Sequence, residues 1–185
     1  MKKSLVIGTA FFVASMMVAR ALAVEIADPI NPKPAYVLDL ERSFGGPSES
    51  GFGSAVFTSS SSSSQELEAR AFEVYRHFVG PLWDRWGETA WKGNWRLAYR
   101  RAGVGNIIAE LGSLTDPDAT STARLMLEGT EDPTAAKAAV VLAFDDSAIV
   151  DLMIFNLGDG AAISGLLIGA RRQNGETTFL VTLMD

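Results

Sequence analysis

The tetrapeptide Gln173-Asn174-Gly175-Glu176 constrains this chain more than any other feature. Asn-Gly tolerates the positive φ angles of a two-residue type I′ turn, and such a turn joins two antiparallel strands. With Asn174-Gly175 as the loop, Ala170 faces Phe179, Ile168 faces Val181 and Leu166 faces Leu183. These pairs are apolar and share one face. Arg171–Thr178, Gly169–Leu180 and Leu167–Thr182 fall on the other face. The pattern predicts a half-buried hairpin with one apolar side. A third strand over about Ala148 to Leu157, joined through Gly158-Asp159-Gly160, extends it to a three-stranded antiparallel meander.

Upstream of the strands the punctuation is helical. Ser63-Ser64-Gln65-Glu66 fits a capping box. Leu67, Ala71, Val74, Tyr75 and Phe78 then recur at helical spacing, and Gly80-Pro81 stops the helix. Asp116-Pro117 and Asp132-Pro133 each set an N-cap aspartate before a proline at the first helical position. The first of these helices runs to about Glu128 before Gly129 and buries Ala123, Met126 and Leu127. The second ends before Asp145-Asp146, and the short link between the two predicts a helical hairpin. Short helices are also expected over about Leu82–Gly87, Trp91–Arg101 and Asn106–Leu111.

Helices first and a meander last predict an α+β fold, with the helices packed on one face of the C-terminal three-stranded sheet. This order resembles the cone-shaped NTF2-like architecture, which also ends in long antiparallel strands. The resemblance is one of layout and implies no activity.

The N-terminus reads Met1-Lys2-Lys3, an apolar run from Leu5 to Val18, then Ala21-Leu22-Ala23. A basic start, a short apolar stretch and small residues are the layout of a secretory signal peptide over residues 1–23. The run is shorter than the ~20 residues that span a bilayer comfortably. The chain has no cysteine, so neither a lipid-anchoring thiol nor a disulfide is available. The expected location is therefore periplasmic or secreted, by a bacterial Sec-type route. Residues 24–64 read as a Pro/Gly/Ser-rich flexible lead, and residues 65–185 as a single α+β domain. Within the lead, Tyr36, Leu38 and Leu40 alternate as in a short strand over Ala35 to Leu40. Gly51-Phe52-Gly53-Ser54 and the six serines Ser59 to Ser64 read as loop and linker. No Gly-Lys-Ser/Thr follows the glycines, so this is not a phosphate-binding loop.

Composition narrows the chemistry. The chain carries a net charge of −6, and removal of Lys2, Lys3 and Arg20 makes the remainder more acidic. An acidic surface repels phosphate backbones, which disfavours nucleic acid as a partner. After signal cleavage no apolar stretch is long enough to span a membrane. The one histidine is His77, on the flank of the helix that follows Ser63 and one turn after Glu73. Without Cys or a Gly-x-Ser-x-Gly elbow, it is the sole candidate base for nucleophilic catalysis. Close Cys/His spacings for zinc and a spaced Asp loop for calcium are both missing, so neither a metal nor a cofactor is expected.

One segment stands apart. All four tryptophans, Trp83, Trp86, Trp91 and Trp95, fall within thirteen residues, interleaved with Arg85, Lys92, Arg96, Arg100 and Arg101. Three readings compete: aromatic core with snorkelling arginines, a partner or ligand surface, since Trp and Arg are enriched in binding hot spots, and contact with membrane headgroups. If it is a surface, Trp83, Trp86, Trp91, Arg96 and Arg100 are its expected contact residues. The sequence thus favours a non-enzymatic accessory or binding protein acting on a partner protein or small ligand. A hydrolase using His77 or a carboxylate is the alternative.

Overall fold

The computed structural model describes residues 32–185. The signal peptide expected over residues 1–23 lies outside them, as does the start of the lead. The described elements are α1 (Ala35–Phe44), β1 (Gly53–Ser60), α2 (Ser64–Val79), α3 (Pro81–Trp86), α4 (Glu88–Lys92), β2 (Arg96–Arg101), α5 (Ile107–Gly112), α6 (Pro117–Glu128), α7 (Pro133–Phe144), β3 (Ile149–Gly158), β4 (Ser164–Arg172) and β5 (Glu176–Met184). The strands form one antiparallel sheet in the order β1-β5-β4-β3-β2.

The expected meander β3-β4-β5 is present, but it is the middle of a larger sheet. β1 adds beside β5, and β2 adds beside β3. The expectation of a three-stranded sheet with helices on one face is overturned, and the NTF2-like layout goes with it. α1, α5, α6 and α7 pack on one face, against Val56, Leu152, Ile154, Leu166, Ile168 and Leu180. α2, α3 and α4 pack on the other, against Phe57, Met153, Phe155, Leu167, Phe179 and Val181. The class remains mixed α and β, now in three layers.

This second layer explains the apolar density of the last strands. Leu166, Leu167 and Ile168 are consecutive and all buried. Alternation is the signature of a sheet with one wet face; with both faces covered, consecutive residues are buried in turn.

The hairpin register differs from the expected one by a single residue. Ala170 faces Thr178, Ile168 faces Leu180 and Leu166 faces Thr182. Gln173-Asn174-Gly175 forms the loop: Gly175 donates its N–H to the Arg172 carbonyl (2.9 Å) and takes φ 86°. A three-residue loop of this kind, a tight turn followed by a left-handed glycine, is the next commonest hairpin connection after the two-residue turns. The Asn174 side chain accepts from the Glu176 N–H (3.1 Å), which holds it. A one-residue slip flips every side chain to the opposite face. Phe179, Val181 and Leu183 therefore point to α2, away from Leu166, Ile168 and Ala170. With both faces apolar, hydrophobicity does not discriminate between the two registers, and the turn decides.

Helix expectations fared best where caps were legible. The Ser63 hydroxyl accepts from the Glu66 N–H (3.2 Å), while the Glu66 carboxylate reaches back to the N–H (2.7 Å) and hydroxyl (2.8 Å) of Ser62. These bonds hold the Glu66 carboxyl below the usual carboxylate range. Asp116 and Asp132 each accept from two N–H groups at the starts of α6 and α7. Leu67, Ala71, Val74, Tyr75 and Phe78 are buried as expected.

Two local expectations in the lead are corrected. Ala35–Leu40 is helix, with Val37, Leu40 and Phe44 buried on one face. A helical spacing of three and four outweighs the weak alternation there. The end of the glycine-rich stretch, from Gly53, and the first serines, to Ser60, belong to β1, whose Ala55, Val56 and Phe57 are buried. The helix expected over Trp91–Arg101 is also corrected: α4 stops at Lys92, and Arg96–Arg101 is an edge strand with an irregularity between Leu97 and Tyr99. Arginines and a bulge on an edge strand discourage pairing with other chains. No helix among the described residues is long and apolar enough to cross a membrane.

Candidate functional site

The tryptophan segment folds as a short path of turns over the α2 face of the sheet. Gly80 (φ 57°) ends α2 and Gly87 (φ 83°) ends α3, so the chain doubles back twice. Those reversals bring Trp83, Trp86, Trp91 and Trp95 into one aromatic array. Trp83 and Trp91 are buried. Trp91 stacks on Trp83 (6.4 Å between ring centroids) on one side and on Trp86 (5.3 Å) on the other. Trp95 stacks between Tyr75 (5.7 Å) and Phe155 of β3 (4.4 Å). Phe72 meets Trp83 and Trp95 edge to face. Such offset and edge contacts add ~0.5–1.5 kcal/mol per pair beyond the area they bury.

Two polar groups of this array are hydrogen-bonded to the backbone around it. The Trp91 indole donates to the Leu82 carbonyl (3.1 Å). The Tyr75 hydroxyl donates to the Trp91 carbonyl (3.1 Å) and accepts from the Gly158 N–H (3.3 Å). Burial pushes the Tyr75 phenol far above its ordinary pKa, against the smaller pull of the Gly158 bond. Tyr75 thus stays a neutral strut between the segment and the sheet.

The expected contact residues divide by environment. Trp83 and Trp91 belong to the core. Trp86 is 44% exposed, with one face stacked on Trp91. Arg96 donates to Asp116 through Nε (2.9 Å) and pairs with it again through Nη2. It also donates to Asn156 (2.8 Å), whose amide, oriented to satisfy both ends, donates to the Gly165 carbonyl (3.2 Å). Arg96 therefore ties β2 to the N-terminus of α6. Burial alone pushes the Asp116 carboxyl up, but the bonds from Arg96 and from the N–H groups of Ala119 and Asp118 outweigh it and hold it low. Arg100 sits 3.3 Å from Glu68, both half-exposed. Of the five residues, the structure leaves Trp86 alone both exposed and free of an ion pair or hydrogen bond among the described residues.

His77 is not paired with Glu73, which binds Arg70 (2.9 Å). Its Nδ1 lies 3.4 Å from Glu49, and its ring packs edge-on against Phe57 (5.7 Å). Two surface cavities, of about 880 and 570 Å³, are lined by other residues. Among the described residues no three His, Asp or Glu side chains gather where a metal ion would sit.

Sequence reasoning passed over the most buried charges. Arg101 is buried; it pairs with Glu110 (3.1 Å) and Asp145 (3.2 Å) and donates to the Phe144 carbonyl. Arg172, also buried, donates to the Ala143 carbonyl (2.9 Å) and stacks on Tyr36 (3.8 Å). Two arginines from different strands thus hold the last carbonyls of α7, where a helix end favours positive charge. Nothing in the sequence marks them, because their partners lie far along the chain.

No protein-family model, curated protein or solved structure matches this chain.

Proposed function

We propose that this is an exported, non-enzymatic accessory protein that engages a partner protein through a surface centred on Trp86. The observation that supports this is the Trp86 indole, half-exposed and held at the surface by stacking on buried Trp91. An exposed indole of fixed orientation brings large contact area with little ordering cost on binding, which is the character of a hot-spot residue. Arg85, its neighbour in the chain, is exposed as well. Trp83 and Trp91 support the surface from below. A hydrolase built on His77 gains no support from the geometry, since His77 lines neither cavity described.

The test is retention of a periplasmic partner by the immobilised protein, compared across variants. Trp86→Ala is expected to abolish retention of a saturable, stoichiometric partner, while Leu142→Ala, an exposed apolar residue on α7, retains it. Equal retention by folded Trp86→Ala would refute the reading. Sequencing the N-terminus of the native protein tests export separately: a start near Val24 is expected, and intact Met1 overturns it.

A further inference from the structure

The larger cavity, about 880 Å³, opens where three helix ends meet the rim of the sheet. Its walls come from the last turn of α1 (Arg42, Phe44), the end of α6 (Leu125, Met126), the α6–α7 link (Gly129 to Asp132) and the ends of β1 and β5. No part of the tryptophan segment contributes, so the inference stands apart from the function proposed above. Cavities of this size suit small organic ligands.

Its chemistry is two-sided. Phe44 and Met126 form a buried apolar floor, while Phe52 and Leu125 stand at 40% and 49% exposure. Both are large apolar side chains left wet in a concave site. The polar component is negative. The C-terminal ends of α1 and α6 both reach the cavity, each bringing the partial negative charge of a helix end. The α7 N-terminus also reaches it, but Asp132 already caps that end (3.1 and 3.0 Å). Glu131 and Asp185 are exposed at the rim, with no hydrogen bond or ion pair among the described residues. Arg42, the cation in the lining, is held by Asp39 (2.7 Å). The buried Thr130 hydroxyl, also in the lining, has no partner within the protein.

We infer that this cleft binds a small organic cation with an apolar body, of the arylalkyl-ammonium type. The body covers Phe52 and Leu125 and rests on Phe44 and Met126. The ammonium group lies toward Glu131 and Asp185, in the field of the two helix ends.

Three soluble probes of matched shape test this: phenethylammonium, phenethyl alcohol and 3-phenylpropionate. The full chain is titrated with each and followed by amide chemical shifts. Phenethylammonium is expected to bind saturably, in about the millimolar range for so small a ligand. Its shift changes should cluster on residues 42–54, 125–135 and 182–185. It should bind about tenfold tighter than the alcohol, with the carboxylate weakest. Glu131→Gln with Asp185→Asn should erase most of that preference and leave alcohol affinity unchanged. Ala135→Trp, which fills the cleft, should abolish both while the far-ultraviolet spectrum stays native. Equal or weaker binding of the ammonium relative to the alcohol overturns the inference. So do shift changes elsewhere on the protein, or shifts that fail to saturate.

Discussion

Arg100 and Arg101 are adjacent in sequence and opposite in environment, so replacing each in turn isolates the effect of burial. Arg101 is buried and joins Glu110, Asp145 and the Phe144 carbonyl. Arg101→Met keeps much of the stem and removes the guanidinium. It strands two carboxylates whose side chains are 12% and 16% exposed. Removing one member of a buried ion pair costs ~3–5 kcal/mol. The slight exposure of both acids lets some water in, which places the expected loss near the lower end, about 3 kcal/mol. At ~2–4 °C per kcal/mol for a chain of this size, the midpoint should fall by roughly 6–12 °C. Arg100→Met breaks a pair whose members are both 47% exposed, and exposed pairs contribute ~0–1 kcal/mol. Urea melts of both variants, fitted with a common slope, measure the difference. A loss below about 1 kcal/mol for Arg101→Met, or equal losses for the two, refutes the reasoning.

Three further outcomes are expected. Trp91→Ala should cost ~3–5 kcal/mol, because it opens a cavity under Trp86, whereas Trp86→Ala, exposed on one face, should cost well under half as much; denaturant melts compare them. Gly169→Val should destabilise by ~1–3 kcal/mol, since a Cβ there meets the Phe179 ring at 3.0 Å; a native-like midpoint would show that the ring moves aside freely. Asp116 has a depressed folded-state pKa, so its contribution is complete above the ordinary aspartate value of ~3.9 and is lost as pH falls through the lower folded value. The stability gap between wild type and Asp116→Asn should therefore shrink between pH 5 and pH 2, and a gap that widens on acidification contradicts the sign.

The candidate surface was half legible. Four tryptophans in thirteen residues mark an aromatic concentration, but spacing alone does not say which indoles face water. That was set by Gly80 and Gly87, whose positive φ angles turn the chain so that Trp91 lies beneath Trp86. The cleft beside α1 was not legible at all. It is assembled from the ends of α1, α6, β1 and β5, and no one of these segments carries a signal of a pocket.

Local chemistry read directly from the chain determined the helix starts at Ser63, Asp116 and Asp132, the apolar face of α2 and the existence of the β4–β5 hairpin. Each depends on residues within a few positions of one another, so nearest-neighbour physics suffices. Tertiary structure alone decided the edge strands β1 and β2 and the burial of Arg101 and Arg172, and it left the hairpin register to the turn. The cause is the second helical layer. Once both faces of the sheet are dry, the alternation of polar and apolar residues no longer tells one face from the other, and only the packed neighbours do.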